Sequence, residues 1–181
     1  MKKITVGHYR RLLLLILTAL LIFCAAASQA APIRIFTATV TKITDGDTVQ
    51  AVTPEGTKLK VRLYGIDAPE MPKGKIPGEP FGNDSRAYLT SLVSQTTVRI
   101  EIRDIDRYRR MVAILWLGER NVNQEMLSAG MAEAYSEYLR QPYRTPFIQA
   151  EQEAKAQGKG IWSRGTYYER PSQFRRRIGS S

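Results

Sequence analysis

The sequence has 181 residues and a formal net charge of +10, room for one compact domain plus a leader. Its one cysteine, Cys24, and its one histidine, His8, both fall in the first 30 residues. If that segment is removed, the rest has no disulfide, no thiol nucleophile, no histidine base and no Cys/His zinc site. Any metal must then be held by oxygen, which suits hard cations such as calcium or magnesium.

The N-terminus reads as an export signal. Lys2, Lys3, Arg10 and Arg11 precede an apolar run over residues 12–27, broken only by Thr18. Ser28-Gln29-Ala30 then supplies small residues for cleavage after Ala30. An uncleaved anchor is the competing reading, because no charge occurs from Leu12 to Ile33, enough to span a bilayer. The expected division is a signal peptide over 1–30, a functional domain over 31–165 and a basic tail over 166–181. The expected location is periplasmic or secreted, or at the membrane if the leader is retained. Beyond residue 30, 23 cations face 17 acids. That excess favours polyanionic partners such as DNA, RNA or anionic lipid, although solubility explains it equally well.

Residues 33–44 alternate and are rich in β-branched side chains, which predicts a strand. Asp45-Gly46-Asp47 is a turn, residues 48–52 resume strand character, and Pro54-Glu55-Gly56 turns the chain again. Residues 58–66 form the third strand, with Leu59, Val61 and Leu63 on one face. Four prolines and two glycines make residues 68–80 a loop. Asn83 or Asp84 is expected to cap a helix to about Ser94, with Ala87, Tyr88, Ser91 and Leu92 facing inward. Residues 97–103 and 111–117 read as strands joined by a charged connector. Residues 122–129 read as a short helix stopped by Gly130. Thr145-Pro146 is expected to open the last helix, threonine as N-cap and proline at the first position. From Gly165 the chain reads as a basic loop containing Arg175-Arg176-Arg177. These elements predict an α+β, mainly β, fold: a five-stranded OB-type Greek-key barrel with about three helices packed outside.

Asp47, Asp67 and Glu70 sit at strand ends, where neighbouring strands would bring them to one edge. Two carboxylates, a backbone carbonyl and waters suffice for a hard cation, although aspartates also favour turns for their own sake. Arg62 and Arg110 add the planar, bidentate charge that phosphoryl transfer uses. Arg62 lies five residues before Asp67, on the opposite pleat face unless a bulge or bend intervenes.

In order along the chain stand Asp45-Gly46-Asp47-Thr48-Val49, Arg62-Leu63-Tyr64-Gly65-Ile66-Asp67-Ala68-Pro69-Glu70, Phe81-Gly82, Asp106-Arg107-Tyr108-Arg109-Arg110, Val122-Asn123, Gly130-Met131-Ala132 and Gly158-Lys159-Gly160-Ile161-Trp162. Over roughly residues 35–163 this series resembles the staphylococcal nuclease (thermonuclease) family. The resemblance implies calcium-dependent cleavage of DNA and RNA toward 3′-phosphate ends. It further implies Asp47, Asp67 and the Ala68 carbonyl as Ca2+ ligands and Glu70 as base or water-positioning carboxylate. Arg62 and Arg110 would clamp the phosphate, Tyr108 would contact a neighbouring phosphate, and Tyr138 would pack against a base. The chain departs from the family at Ala68, where the founding enzyme has threonine, and at Arg109, where glycine is usual. Arg110 keeps the register to Val112-Ala113 and is taken as the phosphate ligand; Tyr135 is read as ordinary packing. Nothing in the sequence demands more than a monomer or a stable protein partner. Rival readings are a catalytically inactive OB module that binds nucleic acid and a membrane-tethered assembly factor that borrows the fold.

Overall fold

Alternating β-branched residues extend β1 over Ile35–Asp45, and two register shifts in it bend the strand so that it serves two partners. Its first half pairs antiparallel with β5 (Thr97–Ile105) and its second half with β2 (Thr48–Val52). The computed structural model describes residues 34–179, without the side chains of residues 164, 166 and 167. The signal-peptide segment lies outside the described residues. No helix among the described residues is long and apolar enough to cross a membrane.

Strand β3 (Lys58–Leu63) pairs antiparallel with β2, and β6 (Met111–Leu117) pairs antiparallel with β5. Parallel pairing of β3 with β6 closes the ring in the order β3-β2-β1-β5-β6. The expected five-stranded OB-type barrel is the fold. Val40, Val49, Val61, Ile100, Ala113 and Leu115 are wholly buried within it. Around the barrel lie α1 (Gly82–Val93), α2 (Val122–Ser128) and α3 (Arg144–Ala156). The short strand β7 (Arg120–Asn121) leads into α2.

Four local expectations need correction. The third strand does not run through to Ile66: it ends at Leu63, and Gly65 at φ +73° turns the chain into a separate two-residue strand, β4 (Ile66–Asp67). A side chain at that φ is disfavoured, and a Cβ there would lie 2.3 Å from Leu139 Cδ2. The buried Asn123 fastens this break. Its amide donates to the Tyr64 and Ala113 carbonyls (3.0 and 3.1 Å) and accepts from the Leu115 N–H (3.0 Å).

Neither long helix has its expected cap. Phe81 and Tyr143 are the N-cap residues of α1 and α3, and neither makes a side-chain capping bond. The buried face of α1 is Gly82, Ser85, Leu89 and Val93, while Ala87 and Ser91 are exposed. Close approach decides that rotation: a Cβ on Gly46 would lie 1.8 Å from Ser85 Oγ, and one on Gly82 would lie 2.5 Å from the Glu70 carbonyl oxygen. Backbone contact at the β1–β2 turn and the Glu70 loop therefore sets the face, ahead of side-chain hydrophobicity.

The basic tail is not a loop. After a 3-10 segment over Gly160–Tyr167, kinked at Gly165, a fourth helix, α4, spans Pro171–Gly179. Proline at its first position has no N–H to waste and a φ already suited to the helix. Pro171 and Phe174 are its buried side chains.

Candidate active site

The β1–β2 turn places Asp47 beside Arg62, because Thr48 pairs with Arg62 across the ladder. Asp47 is held from both sides: its Oδ1 accepts from Thr48 Oγ1 and its Oδ2 from the Ala68 N–H, both at 2.9 Å. The break at Gly65 is the bend that brings Asp67 round to the Arg62 face. Arg62 Nη2 donates to Asp67 Oδ1 at 3.0 Å, and Arg62 Nη1 pairs with Asp47 Oδ2. One guanidinium thus joins two carboxylates that are only 5% and 4% exposed. Burial lowers the Arg62 pKa; Asp67 opposes that shift, while Arg110 and Arg175 add to it.

Glu70 stands at the mouth of this cluster. Lys73, from the proline-rich loop, pairs with Glu70 Oε2 and also faces Asp45 at 3.6 Å. Burial lowers the Lys73 pKa, but the two acids outweigh it and the net shift is upward. From the tail, Arg175 Nη2 donates to Asp67 Oδ2 at 2.7 Å, and Nη1 reaches Asp67 Oδ1 at 3.2 Å and Glu70 Oε1 at 3.4 Å. Glu79 lies close by, 7% exposed, with its Oε1 unpartnered. Burial pushes its pKa up to about 7.

Barrel closure brings the second arginine in. The parallel β3–β6 register pairs Val61 with Met111 and Arg62 with Val112, and Arg110, just before β6, lines the same groove as Arg62. Asp106 organises that connector by accepting from the Tyr108 and Arg110 N–H groups (both 2.9 Å) and from Arg110 Nε (2.7 Å). Burial raises the Asp106 pKa, but the Arg110 N–H and guanidinium outweigh it and hold the carboxyl below its usual value. Arg109 takes φ +60°, the backbone conformation glycine favours. Its side chain is exposed, whereas Arg110 lines a groove of about 530 Å3 with Arg62, Tyr108, Tyr135 and Tyr138.

Tyr108 and Tyr138 are 65% and 58% exposed on that groove. Tyr135 is half-buried and meets Tyr138 edge-on at 4.6 Å between centroids, so the packing expected of it coexists with a place on the groove wall. A second hollow of about 460 Å3, beside Trp116 and Tyr143, is lined by Glu119 and Glu125 and by no lysine or arginine.

Residues 60–164 match the family described as staphylococcal nuclease homologue. The chain belongs to the staphylococcal nuclease family. It is 38% identical over 162 residues to an uncharacterized endonuclease of Haemophilus influenzae, covering 90% of this chain and 85% of that protein. It is 31% identical to a thermonuclease of Staphylococcus hyicus over 126 residues (68% and 74% covered). A thermonuclease of Staphylococcus intermedius is 32% identical over 127 residues (69% and 75%).

Staphylococcal nuclease relatives imply a metal, so the donor set is the test. No cluster of three or more acidic side chains with metal-holding geometry occurs among the described residues. An ion here would draw on two carboxylates, a backbone carbonyl and water. Asp47 and Asp67 meet that need: both are oxygen donors, and both reach one guanidinium, so their oxygens lie within reach of a single cation. Ala68, buried and tied to Asp47 through its N–H, belongs to the same corner.

Sequence reasoning missed Lys73, Glu79 and Arg175. The tail's positive charge was visible, but not which of its arginines turns inward. Pro171 as a helix start and Phe174 as an inward apolar residue were the available signals.

Proposed function

We propose that the protein is an exported, calcium-dependent nuclease that hydrolyses phosphodiester bonds of DNA and RNA and leaves 3′-phosphate ends. The observation that carries this reading is the gathering of two buried aspartates, Glu70 and Arg62 into one bridged cluster beside an arginine- and tyrosine-lined groove. Family membership supports the nuclease assignment, and the ordered motifs support the finer roles.

Asp47, Asp67 and the Ala68 carbonyl would hold Ca2+, which when bound neutralises a phosphate oxygen and lowers the barrier to an attacking water. Glu70 orders that water and accepts its proton; with no histidine beyond His8, a carboxylate is the base available. Arg62 and Arg110 stabilise the charge that builds on the phosphoryl oxygens, which is greater in the transition state than in the bound substrate. Tyr108 lies beneath the Arg107 and Arg110 guanidinium groups, 4.9 and 5.5 Å from its ring centroid, and would meet a flanking phosphate. Tyr138 offers an exposed ring on which a base can stack.

The test is cleavage of denatured DNA and of RNA with calcium and then with chelator, with Glu70→Gln as control. Calcium-dependent cleavage is expected, reduced about 10²- to 10⁴-fold by Glu70→Gln. Cleavage that calcium does not raise above the Glu70→Gln level would reject the enzyme assignment and leave a nucleic-acid-binding module.

A further inference from the structure

The inward-turned arginine of the tail occupies the same carboxylates that the proposed chemistry needs. Asp67 lies opposite Glu133 in the antiparallel pairing of β4 with β8 (Glu133–Ala134), so two buried acids face each other on one side of a ladder. Like charges so placed repel. The tail supplies a cation to each. Arg170 Nε donates to Glu133 Oε2 at 2.7 Å, with Tyr168 adding a hydrogen bond of 3.1 Å to Oε1. Arg175 lies across Asp67 and Glu70.

These two attachments differ in what carries them. The upstream one is reinforced by Trp162, which packs edge-on against Tyr168 at 5.1 Å. The downstream one belongs to a helix of nine residues, too short to persist alone in water. Its holds on the rest of the domain include the burial of Pro171 and Phe174 and the pairing of Arg175 with Asp67 and Glu70. The tail cation at Glu133 thus sits beside a packed tyrosine–tryptophan pair, and the one at Asp67 rides on a short terminal helix.

We propose that α4 is an intramolecular latch: Arg175 stands in for a divalent cation at the Asp67–Glu70 pair, and calcium gains that pair only when Arg175 is released. This rests on the reading of Asp67 as a calcium ligand and Glu70 as the water-activating carboxylate. Arg175 satisfies both oxygens of Asp67 and one of Glu70, so an ion arriving at Asp67 must take an oxygen that a guanidinium already holds. Arg62 does not conflict in the same way, because a strand fixes it between Asp47 and Asp67 and leaves Asp67 Oδ2 to the tail. The latch links metal occupancy to the position of the C-terminal helix: with the tail docked, Arg175 and Lys73 both hold Glu70; with the tail released, Lys73 alone does, and both Asp67 Oδ2 and Glu70 Oε1 are free of the tail.

The experiment is calorimetric titration of calcium into the full chain and into Arg175→Ala and Arg175→Gln, with no nucleic acid present. It is paired with hydrogen exchange across residues 171–179 of the unmodified chain, with and without calcium. Both substitutions are expected to tighten calcium binding about tenfold, the equivalent of about 1.4 kcal/mol, and calcium is expected to speed exchange across α4. Unchanged or weaker calcium binding in both variants, or an α4 whose exchange ignores saturating calcium, overturns the latch. Either result beside intact calcium-dependent cleavage leaves the nuclease reading standing. Absence of calcium binding in all three chains removes both. Equal calcium affinity with lower cleavage in Arg175→Ala would make Arg175 a substrate-positioning residue and also overturns the latch. The exchange measurement needs no variant, so it decides the matter even if a substitution unfolds the chain.

Discussion

Arg62 and Arg175 both hold Asp67, at 3.0 and 2.7 Å, yet they come from opposite kinds of structure. Arg62 sits on a strand paired on both sides, with its side chain 15% exposed and a second acid, Asp47, on its other nitrogen. Arg175 sits on a terminal helix and is 35% exposed. Nearly equal distances therefore conceal different mechanical roles. A cation fixed by a closed barrel is part of the site's preorganisation, which costs nothing at the moment of reaction. A cation on a short peripheral helix is exchangeable, because local opening is cheapest where few apolar groups are buried.

The largest expected break in this comparison is Arg62→Ala. It removes the guanidinium that two buried carboxylates share and leaves Asp47 with only neutral donors, so urea denaturation should show a loss of about 3 kcal/mol or more, and cleavage should fall roughly 10³-fold. Arg175→Ala should cost about 1 kcal/mol or less in the same denaturation series. Equal losses for the two variants would show that the tail is as much a part of the frame as β3.

Glu79 sharpens the comparison through pH. It lies on the tail side of the cluster, and its carboxyl titrates near pH 7 in the folded protein against an ordinary value of 4.5. The native state therefore keeps a proton that the unfolded chain has released. Glu79 contributes its full stability below pH 4.5, and that contribution is lost as pH rises toward 7, by about 3 kcal/mol in all. Glu79→Gln should flatten the stability profile across that window in thermal melts at a series of pH values. An unaltered slope would place the unpartnered oxygen in contact with water.

The smallest effect is expected at Arg109, the rim arginine held at φ +60°. Arg109→Gly should relieve the left-handed strain and raise the denaturation midpoint by the equivalent of about 1 kcal/mol or less. Cleavage should stay close to that of the unmodified chain, because Arg110 rather than Arg109 lines the groove. A large loss of cleavage would transfer the phosphate contact to Arg109.

Most of the barrel was legible because its signals are local. Period-two alternation in residues 35–45, 48–52, 58–63 and 97–102 marks strands whatever surrounds them. Asp47, Asp67 and Glu70 were legible as candidates because carboxylates at strand ends are unusual in an ordered series with Arg62 and Arg110. The α1 face was not legible, since Gly46 and Gly82 fix it through contacts with Ser85 and the Glu70 carbonyl, residues distant in sequence. The glycines at 130 and 160 make the same point: a Cβ on either would meet the other segment's backbone, 2.3 Å from the Lys159 oxygen and 2.1 Å from the Gly130 oxygen.

The sequence by itself determined the donor chemistry. With His8 and Cys24 confined to the N-terminal segment, the rest of the chain has no imidazole or thiol, and its chemistry falls to carboxylates, guanidinium and ammonium groups and hydroxyls. Tertiary structure alone decided which of these groups meet. Parallel closure of β3 on β6 brings Arg110 to Arg62, the break at Gly65 turns Asp67 toward Asp47, and docking of α4 lays Arg175 over a carboxylate 108 residues earlier. The physical reason is range: residue type and periodicity act over a few positions, whereas the pairing of buried charges depends on how the whole chain closes on itself.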